Sequence, residues 1–182
     1  MTQTRAEAPA ARLKALRAER SRLLAGRGRG TAEAAGPSRA VLVCACGDDR
    51  FALALAQVAQ VLPARPVTPL PGAPAAVLGL IAISGRVVSL IALARALGRG
   101  AAAPGDEGHV VLVRGAGVPV ALAVDRVLGV AEIAEATDVP ALAEAGLSTE
   151  AVSGYAPPGA GPDGEPGFVI VDLPRLLRRY LP

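Results

Sequence analysis

The stretch Phe51-Ala-Leu-Ala-Leu-Ala-Gln-Val-Ala-Gln-Val61 returns 69 residues later as Val120-Ala-Leu-Ala-Val-Asp-Arg-Val-Leu-Gly-Val130, with identities at Ala52/Ala121, Leu53/Leu122, Ala54/Ala123, Val58/Val127 and Val61/Val130. Upstream of each copy lies a short β-rich run, Val41 to Cys46 and Val110 to Arg114, that ends in a polar turn, so each copy opens with a hairpin. Downstream, Ile91 to Leu97 matches Val171 to Leu177 at an offset of 80, and the extra eleven residues fit a longer loop in the second copy. Between these ends, Val77 to Ile83, Arg86 to Ile91, Val152 to Ala156 and Gly167 to Val171 are short and rich in Val and Ile. Each repeat therefore offers about five short strands and a terminal helical turn. A sheet of that size buries its apolar face and loses its edges most simply by closing on itself. The fold expected is mainly β: two small five-stranded SH3-like barrels side by side, at about 40–100 and 108–182. Proline clusters at Pro63 to Pro74 and Pro157 to Pro166 break the chain between strands and read as loops.

Outside the repeats, residues 1–36 form a basic extension. Ala10 to Leu24 reads as an amphipathic helix, and Gly26, Gly28, Gly30, Gly36 and Pro37 make a flexible connector into the remainder, 37–182. The Gly-Arg-Gly-Arg-Gly run is not a phosphate loop, since no strand precedes it and no Lys-Ser/Thr helix follows. The extension holds eight of the 19 Lys and Arg and three of the 16 Asp and Glu, so the net charge of +3 belongs to it and the rest of the chain is slightly acidic. With 2% aromatic residues, that body offers no stacking platform for nucleic acid. Val77 to Ala94 is long enough to suggest a membrane span, but Ser84-Gly85-Arg86 at its centre and the β-branched residues around it indicate two strands about a turn. No secretory signal precedes Arg12, Lys14, Arg17 and Arg20, and the expected location is the cytoplasm.

Catalysis needs convergent polar groups, and few are available. His109, the one histidine, begins a Val-rich strand and has no nucleophile to serve; it reads as a solvent-exposed strand end. Cys44 and Cys46 form a C-x-C on one strand face, unsuited to a disulfide and too few for a zinc site, so no metal or cofactor is implied. Ser84 and Ser153 lack the preceding glycine of a nucleophile elbow and read as turn residues. Asp125 fits a cap on a short turn, and Asp172, ahead of Leu173-Pro174-Arg175, fits a helix N-cap. The expectation is a binding module and not an enzyme.

The segment Val67 to Leu93, with its Pro-Leu-Pro-Gly-Ala-Pro loop and the Leu-Ile-Ala-Ile-Ser-Gly-Arg-Val-Val-Ser-Leu-Ile-Ala-Leu run, resembles the central signature of the CheW family of chemotaxis coupling proteins. The resemblance extends over about residues 39 to 180. It implies two five-stranded barrels and a non-catalytic scaffold that holds the tip of a methyl-accepting chemoreceptor and the regulatory domain of a CheA-type histidine kinase. Neither nucleic-acid binding nor direct membrane insertion is implied. By position, Val58, Gln60, Ser84, Gly85 and Arg86 border the partner-binding surface. The chain departs from the family at Ala82 and Ser84, where members carry Asn and Arg, at Ser89 and Ala92, where they carry Pro and Asp, and at Gln60, where many carry Glu. Ser84 lacks the planar charged fork of an arginine. Two other readings stay open: a small hydrolase centred on His109 or Asp125, and a barrel that binds nucleic acid through its basic tail.

Overall fold

The computed structural model describes residues 38–100, 105, 107–115, 117–134, 149–161 and 166–180. The helix expected at Ala10 to Leu24 and the glycine-rich connector lie outside them. The chain divides into two units at Gly36/Pro37. Within the second, the strands are β1 (Ser38–Cys46), β2 (Asp49–Ala54), β3 (Val58–Pro63), β4 (Val77–Ile83), β5 (Arg86–Ala92), β6 (His109–Val113), β7 (Val120–Val124), β8 (Arg126–Ala134), β9 (Val152–Ala156) and β10 (Phe168–Val171). A helical turn follows the last strand of each repeat: α1 (Leu93–Ala96) after β5 and α2 (Leu173–Leu177) after β10. Asp172 caps α2 as expected, its Oδ1 accepting from the Arg175 N–H at 3.0 Å with proline in the first turn.

These strands make two five-stranded sheets, ordered β8-β1-β2-β10-β9 and β3-β6-β7-β5-β4. The orders are the same once repeat equivalents are substituted, and each includes one parallel pair, β2 with β10 and β5 with β7. The sheets do not follow the division at about 40–100 and 108–182. Each takes the hairpin of one repeat and the three later strands of the other. Only the short helical turn Leu55–Gln57 separates β2 from β3, and Asp125 alone separates β7 from β8, so the chain passes directly from one sheet into the other at both points. Repeat matching cannot reveal this exchange, because equivalent strands from either copy carry the same alternation.

Three apolar clusters follow from the alternation. Along β1, Val41 and Val43 face the interior of their own sheet, while Leu42, Cys44 and Cys46 face the other sheet. In β7, Ala121 and Ala123 point inward and Val120, Leu122 and Val124 outward, leaving the strand buried on both faces. The repeated Ala-Leu-Ala is thereby explained: small side chains sit inside each sheet, and Phe51, Leu53 and Leu122 fill the core shared between sheets. Each of these large residues contributes about 1.5–3 kcal/mol by burial. Leu93, Leu97, Leu173, Leu176 and Leu177 from the two helical turns complete that core.

The matched spacing also places a bulge near the start of β3 and another near the start of β8. The register shifts between Val58 and Gln60 against β6, and between Val127 and Gly129 against β1, so Ala59 and Leu128 are the extra residues. Beyond β3, the chain returns to the free edge of β4, where Thr68 and Leu80 exchange both backbone hydrogen bonds at 2.8 Å. Gly79 makes this approach possible: a Cβ there would lie 2.1 Å from the Thr68 carbonyl oxygen, and its φ is +143°. Gly79→Ala is expected to destabilise the fold by about 2–4 kcal/mol through clash and strain. Gly47→Ala, with open space and only a positive φ to oppose it, costs about 1 kcal/mol; urea unfolding of both variants checks the contrast.

Candidate functional site

β4 and β5 are joined by the two-residue turn Ser84-Gly85, with φ of 49° and 77°. Positive φ at both central residues is the requirement of a type I′ hairpin turn, whose twist matches the flanking strands. Ser84 is the one described non-glycine residue with positive φ. Both turn residues are exposed, as is Arg86 at the start of β5. Arg86 pairs with Ile83, a member of the sheet's interior cluster, and so lies on the interior side at the sheet's end.

Val58 and Gln60 stand on β3, at the opposite edge of the same sheet but toward the same end as the turn. Val58 pairs with Val113 and packs on the shared core. Gln60 pairs with Leu112, which packs on the interior cluster. A spacing of two would place both side chains on one face of a regular strand, but the bulge at Ala59 turns them to opposite faces.

The face that forms the shared core continues past its covered part into exposed apolar surface. Val87 is 66% exposed and pairs with exposed Ala82, and Val118 is 44% exposed. β5 and β7 run parallel, with Ser89 opposite Val120 and the Ser89 N–H bonded to the Pro119 carbonyl at 3.1 Å. Val87 and Val118 each lie two residues before the first pair of that ladder. The cross-strand pair Ala82 and Val87 and the exposed Val118 therefore form an apolar strip at the end of the sheet that carries the Ser84-Gly85 turn. The sequence reading omits Val87 and Val118. The signal for Val87 was the Val87-Val88 pair, since in a half-buried strand one of two adjacent valines must face outward.

The candidate chemical groups are otherwise engaged. Asp125 does not cap a local turn. Its carboxylate accepts from the Gly47 N–H at 2.5 Å, and its own N–H donates to the Ala45 carbonyl at 3.1 Å, tying the β7–β8 crossover to the β1–β2 hairpin. Arg99 adds a second tie to that hairpin, through Asp49 at 2.8 Å. His109 is half-buried, not solvent-exposed as expected, and its Nδ1 is buried without a hydrogen-bond partner. Ser153 Oγ donates to the Ile170 carbonyl at 3.4 Å. Cys44 and Cys46 are free thiols, and burial pushes both up to about 12. No three metal-ligating side chains gather among the described residues, and no described helix is long and apolar enough to cross a membrane.

An exposed apolar strip beside a β-hairpin turn, with no metal-ligating cluster among the described residues, is the kind of surface that fits a docking protein. A family model for the CheW-like domain matches residues 40–180, and the chain belongs to the CheW family. The fold is similar to that of a crystal structure titled as the scaffolding protein TtCheW from Thermoanaerobacter tengcongensis, with a TM-score of 0.63 and 22% identity over 75% of this chain and 90% of that one. No curated protein matches the chain.

Two outcomes follow from this geometry. Replacing Ser84 by Asn, which tolerates positive φ better, is expected to stabilise the protein by about 0.5–1 kcal/mol in thermal unfolding. At pH 8 a thiol with a pKa of about 12 is roughly one part in ten thousand thiolate. Both cysteines should therefore resist an aromatic disulfide reagent in the native protein and react fully once it is unfolded in guanidinium.

Proposed function

We propose that this protein is a non-catalytic scaffold coupling chemoreceptor cytoplasmic tips to the regulatory domain of a CheA-type histidine kinase, acting in the cytoplasm. The observation that carries this reading is the exposed strip of Ala82, Val87 and Val118, which prolongs the inter-sheet core face beside the Ser84-Gly85 turn in a CheW-family chain. An apolar centre with the Ser84-Gly85 turn at its polar rim, and Val58 on the same face at the far edge of the sheet, suits docking of an amphipathic helix. Gln60 and Arg86, which the bulge and the turn direct to the other side of the sheet, suit a second partner. We further infer that each sheet curls into an SH3-like barrel; the Thr68–Leu80 bridge, which brings the chain leaving β3 to the edge of β4, supports closure of the second sheet.

The departures at Ala82 and Ser84 leave the strip more apolar and remove one cation relative to the family pattern. Binding at this surface then depends on burial more than on charge, with weak individual contacts made effective by multivalent assembly. A hydrolase centred on Asp125 is disfavoured because that carboxylate already holds the Gly47 N–H across the sheets. Nucleic-acid binding would have to use the basic extension alone, since the remainder carries eleven basic against thirteen acidic residues.

Co-sedimentation with a receptor-tip fragment and with the kinase regulatory domain tests the reading. Binding to at least one is expected, and binding to neither rejects the scaffold. Val87→Asp, at a position exposed enough to leave the fold intact, should weaken the contact made by the strip at least about tenfold by burying an unpaired charge. Ser84→Arg should strengthen one of the two contacts by up to about tenfold through a charge-assisted hydrogen bond; an unchanged affinity for both partners would remove Ser84 from the site.

A further inference from the structure

Arg86 and Arg114 stand at the same end of the second sheet: Arg86 opens β5, which runs parallel to β7, and Arg114 follows the last residue of β6, which runs antiparallel to it. Both are exposed, and neither makes an ion pair among the described residues. Arg114 Nη2 donates to the Val58 carbonyl at a long 3.5 Å. The Arg114 N–H continues the ladder between β3 and β6 to the Gln57 carbonyl at 2.8 Å. Alternation therefore sets the Arg114 side chain with Leu112 on the interior side, where Gln60 and Arg86 also lie. The segments of the sheet at this end, 57–60, 82–88 and 113–120, contain no Asp or Glu. This end is thus positive on a slightly acidic body.

The internal repeat shows which groups the second copy has lost. At the matching end of the first sheet the chain ties its turn with its own carboxylates. Asp125 accepts from the Gly47 N–H at 2.5 Å, and Asp49 pairs with Arg99 at 2.8 Å. At the offset of 69, Asp125 corresponds to Ala56, Asp49 to Val118 and Ala45 to Arg114. At the offset of 80, Pro166 corresponds to Arg86, and Arg99 to Arg179, which pairs with Glu150 instead. The second copy has given up both carboxylates at this end and gained two arginines.

We propose that the turn end of the second sheet, on its interior side, docks a protein segment with clustered Asp or Glu side chains, two of whose carboxylates are held by Arg86 and Arg114 beside the neutral amide of Gln60. This segment belongs to the second partner of the scaffold reading, on which the assignment rests. β7 separates the two arginines, so their backbones start at least about 10 Å apart. Carboxylates two turns apart on a helix are about 11 Å from one another and match that span. The guanidinium fork grips a carboxylate through two parallel hydrogen bonds. Nucleic acid fits less well, since these segments contain no aromatic side chain on which a base could stack.

A deca-glutamate peptide titrated into the full-length protein at low salt, followed residue by residue by NMR, is the test. Saturable shifts at Arg86, Arg114 and Gln60 are expected. Each of Arg86→Gln and Arg114→Gln should weaken the binding read at these positions about threefold, and roughly 0.3 M salt should abolish most of it. Both side chains are exposed, so the thermal midpoint should stay at the wild-type value. Shifts confined to residues 1–36, or binding indifferent to both substitutions, would overturn the proposal. A ten-nucleotide oligothymidylate that binds the same residues as tightly as the peptide would overturn the protein class. In the scaffold assays, the double variant Arg86→Glu/Arg114→Glu should bind one partner at least about tenfold more weakly and leave the contact made through Val87 unchanged. If neither partner binds the wild-type protein, the scaffold reading fails, while the peptide titration still decides whether this surface takes carboxylates.

Discussion

The core between the two sheets is the constraint on which the rest of the structure depends. Phe51, Leu53, Ile91, Leu122 and Val171 come from strands of both repeats, and the leucines of both helical turns pack among them. Neither sheet covers its own outer face. That face is apolar because it is meant for the other sheet, and the exchange of strands at Leu55–Gln57 and Asp125 makes the pairing covalent at two points. Parting the sheets would expose large side chains from nearly every strand at once, so the described fold should behave as one cooperative unit.

The candidate docking strip is a by-product of that arrangement. Where the sheets part, the outer face of β5 and the entry to β7 continue with exposed valines that no described element covers. A partner helix that lies there would extend an existing core instead of needing a new pocket. The neighbouring turn is rigid by geometry, with positive φ at both Ser84 and Gly85, and therefore presents its side chain at a defined place. Replacing the family's arginine by serine changes the charge at that place without requiring a different backbone.

The two copies have diverged in opposite ways at their interiors. The first sheet carries Phe168 and Ile133 inside, whereas the second has Val88 and Ala64 at the matching positions. A chain with so few aromatic residues has little to spare for filling voids, and packing defects of this kind persist when the surrounding elements cannot collapse into them. In the second sheet, the bridge from Thr68 to Leu80 and the close approach at Gly79 fix the chain that follows β3 against the edge of β4.

Much of this was legible in the residues themselves. Alternation and β-branching located the strands, Asp172 ahead of Pro174 located the cap, and the matched Ala-Leu-Ala and valine positions located equivalent places in the two copies, because these signals act between near neighbours along the chain. The same reading put Gln60 beside Val58, treated Asp125 as a local cap and assigned each copy its own barrel. Those three depended on partners far away in sequence: a bulge set by the register against β6, a Gly47 N–H 78 residues distant, and a β6 edge that accepts β3 from the other copy. Periodicity states which face of a strand is apolar; only tertiary pairing decides what that face meets, because strands of equal pattern compete for the same hydrogen-bonding edge and the shared core selects among them.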